Sequence, residues 1–274
     1  MHKNTIAFIG AGNMARSLIS GLINDGAPPQ SLYASDPDPD KCAALATDFG
    51  IHTTADNIQA VTAADTIVLA VKPQSLQAVA RALAPALGDG KTLVLSIAAG
   101  IRSDTLNLWL GPEAPIVRTM PNTPALIQSG ATALFATDNV SSAQHDIAES
   151  IMRSAGLTVW LEHEDQMDAV TALSGSGPAY FFLFMEAMEA AGVKLGLPTE
   201  MARLLTLQTA LGAARMALES DEAPAQLRQR VTSPGGTTEQ ALQLMEKNGL
   251  RDTVYQALKA AAKRANELGT ELAK

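Results

Sequence analysis

The chain has 274 residues, of which 47% are hydrophobic, and a formal net charge of −8 at pH 7. This length and apolar content can bury a substantial core and favour two domains over one. A negative net charge without a basic run argues against nucleic acid or an anionic membrane as a partner, so we expect a small-molecule ligand. The sequence has no apolar run near the roughly 20 residues that cross a bilayer and no secretion signal, which predicts a cytoplasmic protein.

Short apolar runs alternate with helical patterns in the first part of the chain. The runs predicted as strands are residues 5–9, 32–35, 66–71, 92–96, 116–120, 131–136 and 158–161. Continuous apolar strands separated by helices indicate a parallel sheet that is covered on both faces. The fold class predicted for residues 1–162 is therefore a doubly wound α/β domain.

The rest of the chain, residues 163–274, reads as helix throughout. The predicted helices lie within residues 178–192, 199–220, 224–231, 237–249 and 252–269. The stretch 199–218 has no clear polar face, and such a helix is normally buried. Because a domain of about a hundred residues has trouble burying it alone, we predict an all-α dimerisation domain that a second copy covers. A monomeric helical cap is the alternative.

The sequence predicts neither a disulfide nor a metal site. The single cysteine, Cys42, has no partner for a disulfide or a thiolate metal cluster, so we predict that it is a small apolar filler. None of the four histidines, His2, His52, His145 and His163, lies in a motif.

The first predicted strand runs directly into the sequence FIGAGNMA. Gly10, Gly12 and Ala15 form a G-x-G-x-x-A pattern between a strand and a helix, where a dinucleotide fingerprint must lie. Gly10 permits the tight turn and Gly12 a close approach of the pyrophosphate. The amides of Asn13 and Met14, with Ala11 in the same turn, then point at the phosphates from the positive end of the helix. This predicts a Rossmann-like dinucleotide-binding domain.

The second predicted strand ends at Ser35 and Asp36. An acid at this place usually hydrogen-bonds the adenosine ribose and repels the extra phosphate of NADP, so Asp36 favours NAD. Ser35 can instead donate to a phosphate, and Pro37 follows rather than an arginine, so the residues leave the cofactor preference open. Asp36 as part of a turn or a helix cap is the alternative.

Further loops follow strands at the same predicted edge of the sheet. They contain Ala70, Val71, Lys72 and Pro73, the stretch 96–101 with Ala98, Ala99 and Gly100, and the stretch 120–125. Ligands bind outside the carboxyl ends of strands in open α/β sheets, so these loops should flank the cofactor. The side chains of Asn122 and Thr123 are predicted to face the cleft. Lys72 is either a proton donor or, more commonly for a lysine heading a helix, a solvated charge or phosphate contact.

Two glycine motifs interrupt the helical part. In LSGSGPAY, Gly175 and Gly177 break a helix and Pro178 suits the first turn of the next, which leaves free amides beside the hydroxyls of Ser174 and Ser176. A ligand site and a plain loop between helices are equally compatible with this pattern.

The second motif is SPGGTT, residues 233–238. Thr237 and Gln240 form a T-x-x-Q capping box, so a helix is predicted to restart at Thr238 behind the bare amides of Gly235 and Gly236. Such amides attract an anion, and the cap would leave Ser233 and Thr238 free to bind a carboxylate. A carboxylate cradle combined with a nicotinamide site indicates a reductase for a small carboxylic acid. The alternative is a capped helix start with a flexible entry.

The motifs FIGAGNMA, AVKP, SIAAG, RTMPNTPA, LSGSGPAY and SPGGTT, in this order and over nearly the whole chain, resemble those of pyrroline-5-carboxylate reductases. The resemblance implies a dinucleotide-binding N-terminal domain and an all-helical C-terminal domain that forms an intertwined homodimer, sometimes assembled into decamers. It further implies hydride transfer from NADPH or NADH to the C=N bond of 1-pyrroline-5-carboxylate, giving proline.

The resemblance also implies roles for individual residues. The cofactor would be held by residues 10–14, Ser35, Asn57, residues 70–73 and residues 98–100, and the substrate by Ser233, Gly235, Gly236 and Thr238. The Thr238 hydroxyl is the candidate catalytic group, bonding the ring nitrogen as it becomes an amine. Asp36 stands where many such reductases carry a polar or basic residue, so Asp36→Ser is predicted to lower the Michaelis constant for NADPH.

Two other functions are compatible with parts of the sequence. A hydroxyacid dehydrogenase would need a helical lysine, for which Lys194 is the candidate, but Pro198 follows where such enzymes have an asparagine. A non-enzymatic sensor would bind a dinucleotide and report redox state through its dimer. The SPGGTT motif argues for a second ligand and therefore against the sensor.

Overall fold

The computed structural model describes residues 4–87 and 90–272. It has two compact units: a sheet-bearing unit, which comprises the chain up to Ser176 and the chain from Ala260 onward, and a helical unit, Gly177–Lys259. The predicted boundary lies between residues 162 and 163, and the units divide the chain differently. Glu164 pairs with Arg118, and the end of the last helix packs against Gly100, so both belong to the sheet-bearing unit. The functional domain boundary itself stays a prediction.

The sheet-bearing unit contains the strands and the helices that connect them. Its strands are β1 (Ile6–Ile9), β2 (Leu32–Ser35), β3 (His52–Thr54), β4 (Thr66–Leu69), β5 (Leu93–Ser96), β6 (Ile116–Met120), β7 (Gly130–Ala136) and β8 (Gly156–Trp160). Its helices are α1 (Asn13–Asn24), α2 (Pro39–Phe49), α3 (Asn57–Thr62), α4 (Pro73–Leu83), α5 (Ser103–Leu110), α6 (Ser142–Arg153) and α7 (Gln166–Val170). A 3₁₀ turn, Thr123–Ile127, joins β6 to β7, and a π-helical turn, Thr171–Gly175, follows α7.

Helix α2 shows how local chemistry sets the ends of an element. The side chain of Asp38 accepts a hydrogen bond from the amide of Asp40, and Pro39 occupies the first helical position, where its missing N–H is harmless. Gly50 ends the helix in the left-handed region at φ 67°, which a glycine adopts without steric cost.

The strands form one sheet in the order β3-β2-β1-β4-β5-β6-β7-β8. All neighbouring pairs are parallel except β6 and β7, which are antiparallel. The predicted parallel sheet is therefore confirmed except at this pair. The 3₁₀ turn Thr123–Ile127 is too short for a crossover, and parallel strands need a connection of a dozen or more residues.

Strand β3 was not predicted from the sequence. It consists of His52, Thr53 and Thr54, which are exposed or half-buried and contain no apolar run. Among the strands of the described residues, it pairs with β2 alone, at the edge of the sheet. Such a strand has no hydrophobic signal and depends on backbone hydrogen bonds to its neighbour.

The sheet is covered on both faces, as predicted. Along β1, Phe8 contributes to one buried cluster, whereas Ala7 and Ile9 contribute to the other. Leu18 of α1 belongs to the first cluster and Leu76 of α4 to the second, and both are fully buried. Each such side chain contributes about 1.5–3 kcal/mol of transfer free energy, so the helices hold the strand ends in fixed positions.

The helical unit has the predicted helices. They are α8 (Gly177–Lys194), α9 (Thr199–Glu219), α10 (Pro224–Arg230), α11 (Thr237–Lys247) and α12 (Leu250–Leu272), of which α12 continues into the sheet-bearing unit. Helices α8 and α9 pack closely, since a Cβ added to Gly192 would lie 3.2 Å from the Cβ of Ala202. Among the described residues, no helix has both the length and the apolar character that a membrane span requires.

Candidate functional site

The glycine loop after β1 is tied to its neighbours by backbone contacts. The amide of Gly10 donates to the carbonyl of Ser35 at the end of β2 over 2.7 Å. Gly10 has φ +107°, and a Cβ added to it would lie 2.7 Å from the carbonyl oxygen of Ala70. Both the conformation and the close approach therefore require glycine, as the fingerprint predicts.

The start of α1 is open to a ligand. Gly12 is the N-cap, and no side chain of the described residues caps the helix. A Cβ added to Gly12 would meet nothing within 4 Å in the described part of the chain. The amides of Asn13 and Met14 are thus available at the positive end of a helix of 12 residues. This geometry fits the pyrophosphate of a dinucleotide.

The carboxylate of Asp36 is engaged with the chain itself. Its Oδ2 accepts from the amide of Ala11 over 2.9 Å and its Oδ1 from the amide of Asp38 over 3.0 Å, and Lys41 Nζ lies 3.5 Å from Oδ1. Burial alone would raise the pKa of Asp36, but these hydrogen bonds and the charge of Lys41 outweigh it and hold the pKa below 3.8. Asp36 therefore braces the glycine loop in addition to any ribose contact.

Two further predicted cofactor residues meet beside Asp36. The hydroxyl of Ser35, at the end of β2, donates to Oδ1 of Asn57 at the start of α3 over 2.7 Å. Cys42 is buried here, with its sulfur 3.4 Å from the carbonyl of Asp36. The structure brings Ser35 and Asn57 together at the carboxyl edge of the sheet, and their role in cofactor binding stays a prediction.

The loops after β4 and β5 lie beside the glycine loop, because β1, β4 and β5 are adjacent parallel strands. The amide of Ala70 donates to the carbonyl of Ile9, and Lys72 is an exposed residue at the N-cap of α4. In the next loop Ala98 is buried, whereas Ala99 is exposed. The predicted cofactor loops thus share one edge, where a dinucleotide binds in this class of fold.

Asn122 lies after β6 and braces two segments. Its side-chain amide donates to the carbonyl of Ser174 over 3.1 Å, and its Oδ1 accepts from the amide of Ala131 over 2.9 Å. Both ends of the Asn122 side-chain amide therefore have partners within the chain. The predicted contact of Asn122 with the cofactor stays a prediction.

The LSGSG motif packs against the same strand. A Cβ added to Gly175 would lie 2.5 Å from the Cε of Met120, so the loop contacts the end of β6. The hydroxyl of Ser174 donates to the carbonyl of Val170. Ser174 and Ser176 therefore lie in the sheet-bearing unit, near the predicted cofactor edge.

An ion pair that the sequence analysis missed supports this edge. Arg118 of β6 is 3% exposed and donates to Glu164 over 2.8 Å. Glu164 also accepts from the amide and the hydroxyl of Ser103, at 2.8 and 2.6 Å, and so fixes the start of α5. The signal in the sequence was the arginine inside the apolar strand IVRTM, since a buried charge requires a partner.

The SPGGTT loop lies in the helical unit, and its predicted cap is wrong. Helix α11 begins at Thr237, one residue earlier than predicted, with Gly236 as N-cap and no side-chain cap among the described residues. The third helical position is consequently Glu239 rather than Gln240. Its carboxylate accepts from the amide of Gly235, which has φ +71°, over 2.7 Å. Glu239 thus takes over the stabilising role that was assigned to the threonine. The prediction of bare amides is also wrong, because the amide of Gly236 donates to the carbonyl of Ser233 over 2.9 Å.

The hydroxyls of this loop are free. Within residues 4–87 and 90–272, those of Ser233, Thr237 and Thr238 have no hydrogen-bond partner. Thr238 is half-buried, whereas Ser233 and Thr237 are exposed. Three free hydroxyls and the start of an 11-residue helix form a surface that can bind a small carboxylate.

The lysine required by the alternative dehydrogenase lies at the end of a helix rather than in its interior. Lys194 is the last residue of α8 and is exposed. It is therefore a poor candidate for protonating a substrate in a cleft.

Two family models match the chain. Residues 164–268 match the model described as pyrroline-5-carboxylate reductase dimerisation, and residues 5–100 match the model described as NADP oxidoreductase, coenzyme F420-dependent. The first covers most of the helical part, and the second covers the predicted cofactor loops from the glycine loop after β1 to Gly100.

Curated relatives match over almost the full length. The chain is 54% identical to a pyrroline-5-carboxylate reductase of Pseudomonas aeruginosa, over 99% of each chain. It is 40% identical to a pyrroline-5-carboxylate reductase of Pisum sativum, over 96% of each chain.

Solved structures give the same result. A pyrroline-5-carboxylate reductase from Coxiella burnetii has a TM-score of 0.95 and 49% identity, over 97% of this chain and 99% of that one. A pyrroline carboxylate reductase from Plasmodium falciparum with NADP bound has a TM-score of 0.86 and 33% identity, over 98% of this chain and 99% of that one. On these grounds, the chain belongs to the pyrroline-5-carboxylate reductase family.

Proposed function

We propose that the protein reduces 1-pyrroline-5-carboxylate to proline with NADPH or NADH. The observation that carries this proposal is the 54% identity to a pyrroline-5-carboxylate reductase over 99% of both chains. The open helix start behind Gly12 and the free hydroxyls at the start of α11 support it, since they suit a dinucleotide and a carboxylate.

The cofactor, when bound, supplies a hydride from C4 of its nicotinamide to the imine carbon of the substrate. The residues proposed to hold it are those of the carboxyl edge of the sheet: Gly10, Ala11, Gly12, Asn13, Met14, Ser35, Asp36, Asn57, Ala70, Val71, Lys72, Pro73, Ala98, Ala99, Gly100 and Asn122. The contribution of the chain is to fix their backbone geometry, through the hydrogen bonds of Gly10 and Asp36 above all.

The substrate is proposed to bind through its carboxylate to Ser233, Gly235, Gly236 and Thr237, with Ser174 and Ser176 as further contacts. Thr238 is the proposed catalytic residue, with its hydroxyl bonding the ring nitrogen as the imine becomes an amine. Because a protonated imine is already electrophilic, the proposal requires no strong general acid, and positioning and electrostatics account for most of the rate.

The catalytically active form is proposed to be a homo-oligomer. The match of residues 164–268 to a dimerisation model and the exposed apolar side chains of α8 and α9 support a homodimer. Assembly into a decamer and a cytoplasmic location stay predictions from the sequence.

The first test is to measure the loss of reduced-nicotinamide absorbance when purified protein meets 1-pyrroline-5-carboxylate, with NADH and NADPH in parallel. We expect substrate-dependent oxidation of at least one cofactor, and the ratio of the two rates measures the preference. Lys194→Ala serves as the matched variant, since the proposal leaves its turnover unchanged. Absence of turnover with both cofactors in folded, oligomeric protein would contradict the proposal, and tight NADH binding without turnover would favour the sensor.

A further inference from the structure

The loop that contains Ala98, Ala99 and Gly100 is anchored at both of its ends. At its start, the amide of Ile97 donates to the carbonyl of Leu69 over 3.2 Å. After its end, Ser103 donates to Glu164 through both its amide and its hydroxyl. These contacts fix the two ends of the loop but not its middle.

The middle of this loop rests against the final helix. A Cβ added to Gly269 of α12 would lie 2.7 Å from the carbonyl oxygen of Gly100. A Cβ added to Gly100 would in turn lie 3.5 Å from the amide nitrogen of Gly269 and 3.6 Å from Cδ1 of Leu272. The two glycines therefore bring the backbone of a helix against the backbone of the loop, with no side chain between them.

Nothing in the conformation of helix α12 itself requires a glycine at position 269. It lies inside α12, is buried, and has helical residues on both sides. Alanine forms a better helix than glycine at such a position because glycine loses more backbone freedom. The close contact with the carbonyl of Gly100 does require a glycine there, because any larger residue would place its Cβ against that carbonyl.

We infer that Gly269 is a positioning residue for the nicotinamide half of the cofactor site, acting through the carbonyl of Gly100. This inference rests on the proposed cofactor contacts of residues 98–100. The loop follows β5, on the far side of β4 from the glycine loop that takes the pyrophosphate. A dinucleotide extends across that point of the sheet, so a loop after β5 flanks the nicotinamide half.

The variant Gly269→Ala tests the inference. Its Cβ must displace the carbonyl of Gly100 or move the helix, so we expect the dissociation constants of NADPH and NADH, measured by nicotinamide fluorescence without substrate, both to rise at least about fivefold. The turnover number should fall, whereas the Michaelis constant for 1-pyrroline-5-carboxylate at saturating cofactor should stay within about twofold, because the SPGGTT loop belongs to the other unit.

Thr270→Ala is the matched control. Thr270 is exposed on the same helix, and its hydroxyl donates to the carbonyl of Asn266 within the helix. This variant should bind both cofactors as the wild type does. Leu272→Ala is the second variant: it removes packing behind the loop without introducing a clash, and should weaken cofactor binding in the same direction by a smaller factor.

Unchanged cofactor dissociation constants in Gly269→Ala would overturn the inference. If Gly269→Ala does not fold, wild-type affinity in Leu272→Ala would overturn it instead. An equal loss of affinity for cofactor and for substrate would also contradict it, because general destabilisation has no preference for one ligand. Wild-type protein that binds NADPH but reduces no imine would refute the proposed function alone, since the binding test remains valid.

Discussion

The two units of this protein treat their apolar residues in opposite ways. In the sheet-bearing unit, Phe8, Leu18 and Leu76 are fully buried in clusters on either side of the sheet. In the helical unit, large apolar side chains remain exposed along α9: Leu204, Leu211 and Leu218 are spaced by seven residues, hence on one face. The first unit completes its core within the chain, whereas the second requires a cover from outside it.

The two predicted ligand sites also differ in how far their polar groups are paired within the chain. The cofactor edge is already braced, since the amide of Gly10 donates to the carbonyl of Ser35 and the carboxylate of Asp36 accepts from the amides of Ala11 and Asp38. Within the described residues, the substrate loop has three hydroxyls without a hydrogen-bond partner, whereas its Gly235 and Gly236 amides donate to the carboxylate of Glu239 and to the carbonyl of Ser233. A preformed site and an unsatisfied one should respond differently to substitution, and the following predictions test this difference.

The largest effect is expected from a charge on the uncovered face. Leu211→Asp should weaken homodimer formation by about 3 kcal/mol or more, roughly 100-fold in the dissociation constant, because a buried unpaired carboxylate is strongly unfavourable. Light scattering coupled to gel filtration would measure the change. Leu108→Asp is the matched control, as Leu108 is 75% exposed in the sheet-bearing unit. A fully dimeric Leu211→Asp would show that α9 is covered by something other than a second copy.

A smaller effect is expected at the substrate loop. Thr238→Ala should lower kcat/KM for 1-pyrroline-5-carboxylate by about 1–3 kcal/mol, the scale of a lost hydrogen bond to a charged group. Steady-state kinetics at saturating cofactor measure it, with Thr270→Ala as the control, because Thr270 is an exposed threonine outside the proposed substrate site. Wild-type kinetics of Thr238→Ala would remove this residue from the proposed mechanism.

The cofactor edge gives the next prediction, which replaces the one drawn from the sequence. Because Asp36 holds the amide of Ala11, Asp36→Ser should weaken the binding of NADH and NADPH alike, by about 1–2 kcal/mol each. The two dissociation constants, measured side by side, decide the matter. Tighter NADPH binding in this variant would restore the earlier interpretation, in which Asp36 acts by repelling the NADP phosphate.

The smallest effect concerns pH and the sheet-bearing unit. The pKa of Asp36 is lowered in the folded state, so its carboxylate stabilises the fold above pH 3.8, the ordinary value, and this contribution is lost as the pH falls through the folded-state pKa. The difference in unfolding free energy between wild type and Asp36→Asn should therefore shrink below pH 3.8. Urea denaturation at neutral and acidic pH measures it, with Asp25→Asn as the exposed control; a constant difference would contradict the brace.

Sequence reasoning succeeded where one short segment carries all the information. The glycine loop is such a segment: a strand, two glycines, a small residue and a helix follow one another, and each has a local steric reason. It failed at β3, which has no apolar run, and at the cap of α11, where a glycine rather than a threonine is the N-cap and the register moved by one residue.

Long-range contacts were beyond the reach of those patterns. The direction of the Asp36 carboxylate depends on Ala11, 25 residues away, and the partner of Arg118 is Glu164, 46 residues away. An arginine in an apolar strand indicates that an acidic partner exists, but the sequence does not identify which of the many Asp and Glu residues it is.

The sequence by itself determined the two-part organisation, the elements and the identity of the motifs, because periodicity and glycine placement act over a few residues at a time. Only the tertiary structure decided the antiparallel course of β7, the bracing of the cofactor edge by Asp36 and Glu164, and the contact between Gly269 and Gly100. These features arise when segments far apart in the chain approach within hydrogen-bond or van der Waals distance, and that approach is set by the packing of the whole sheet-bearing unit.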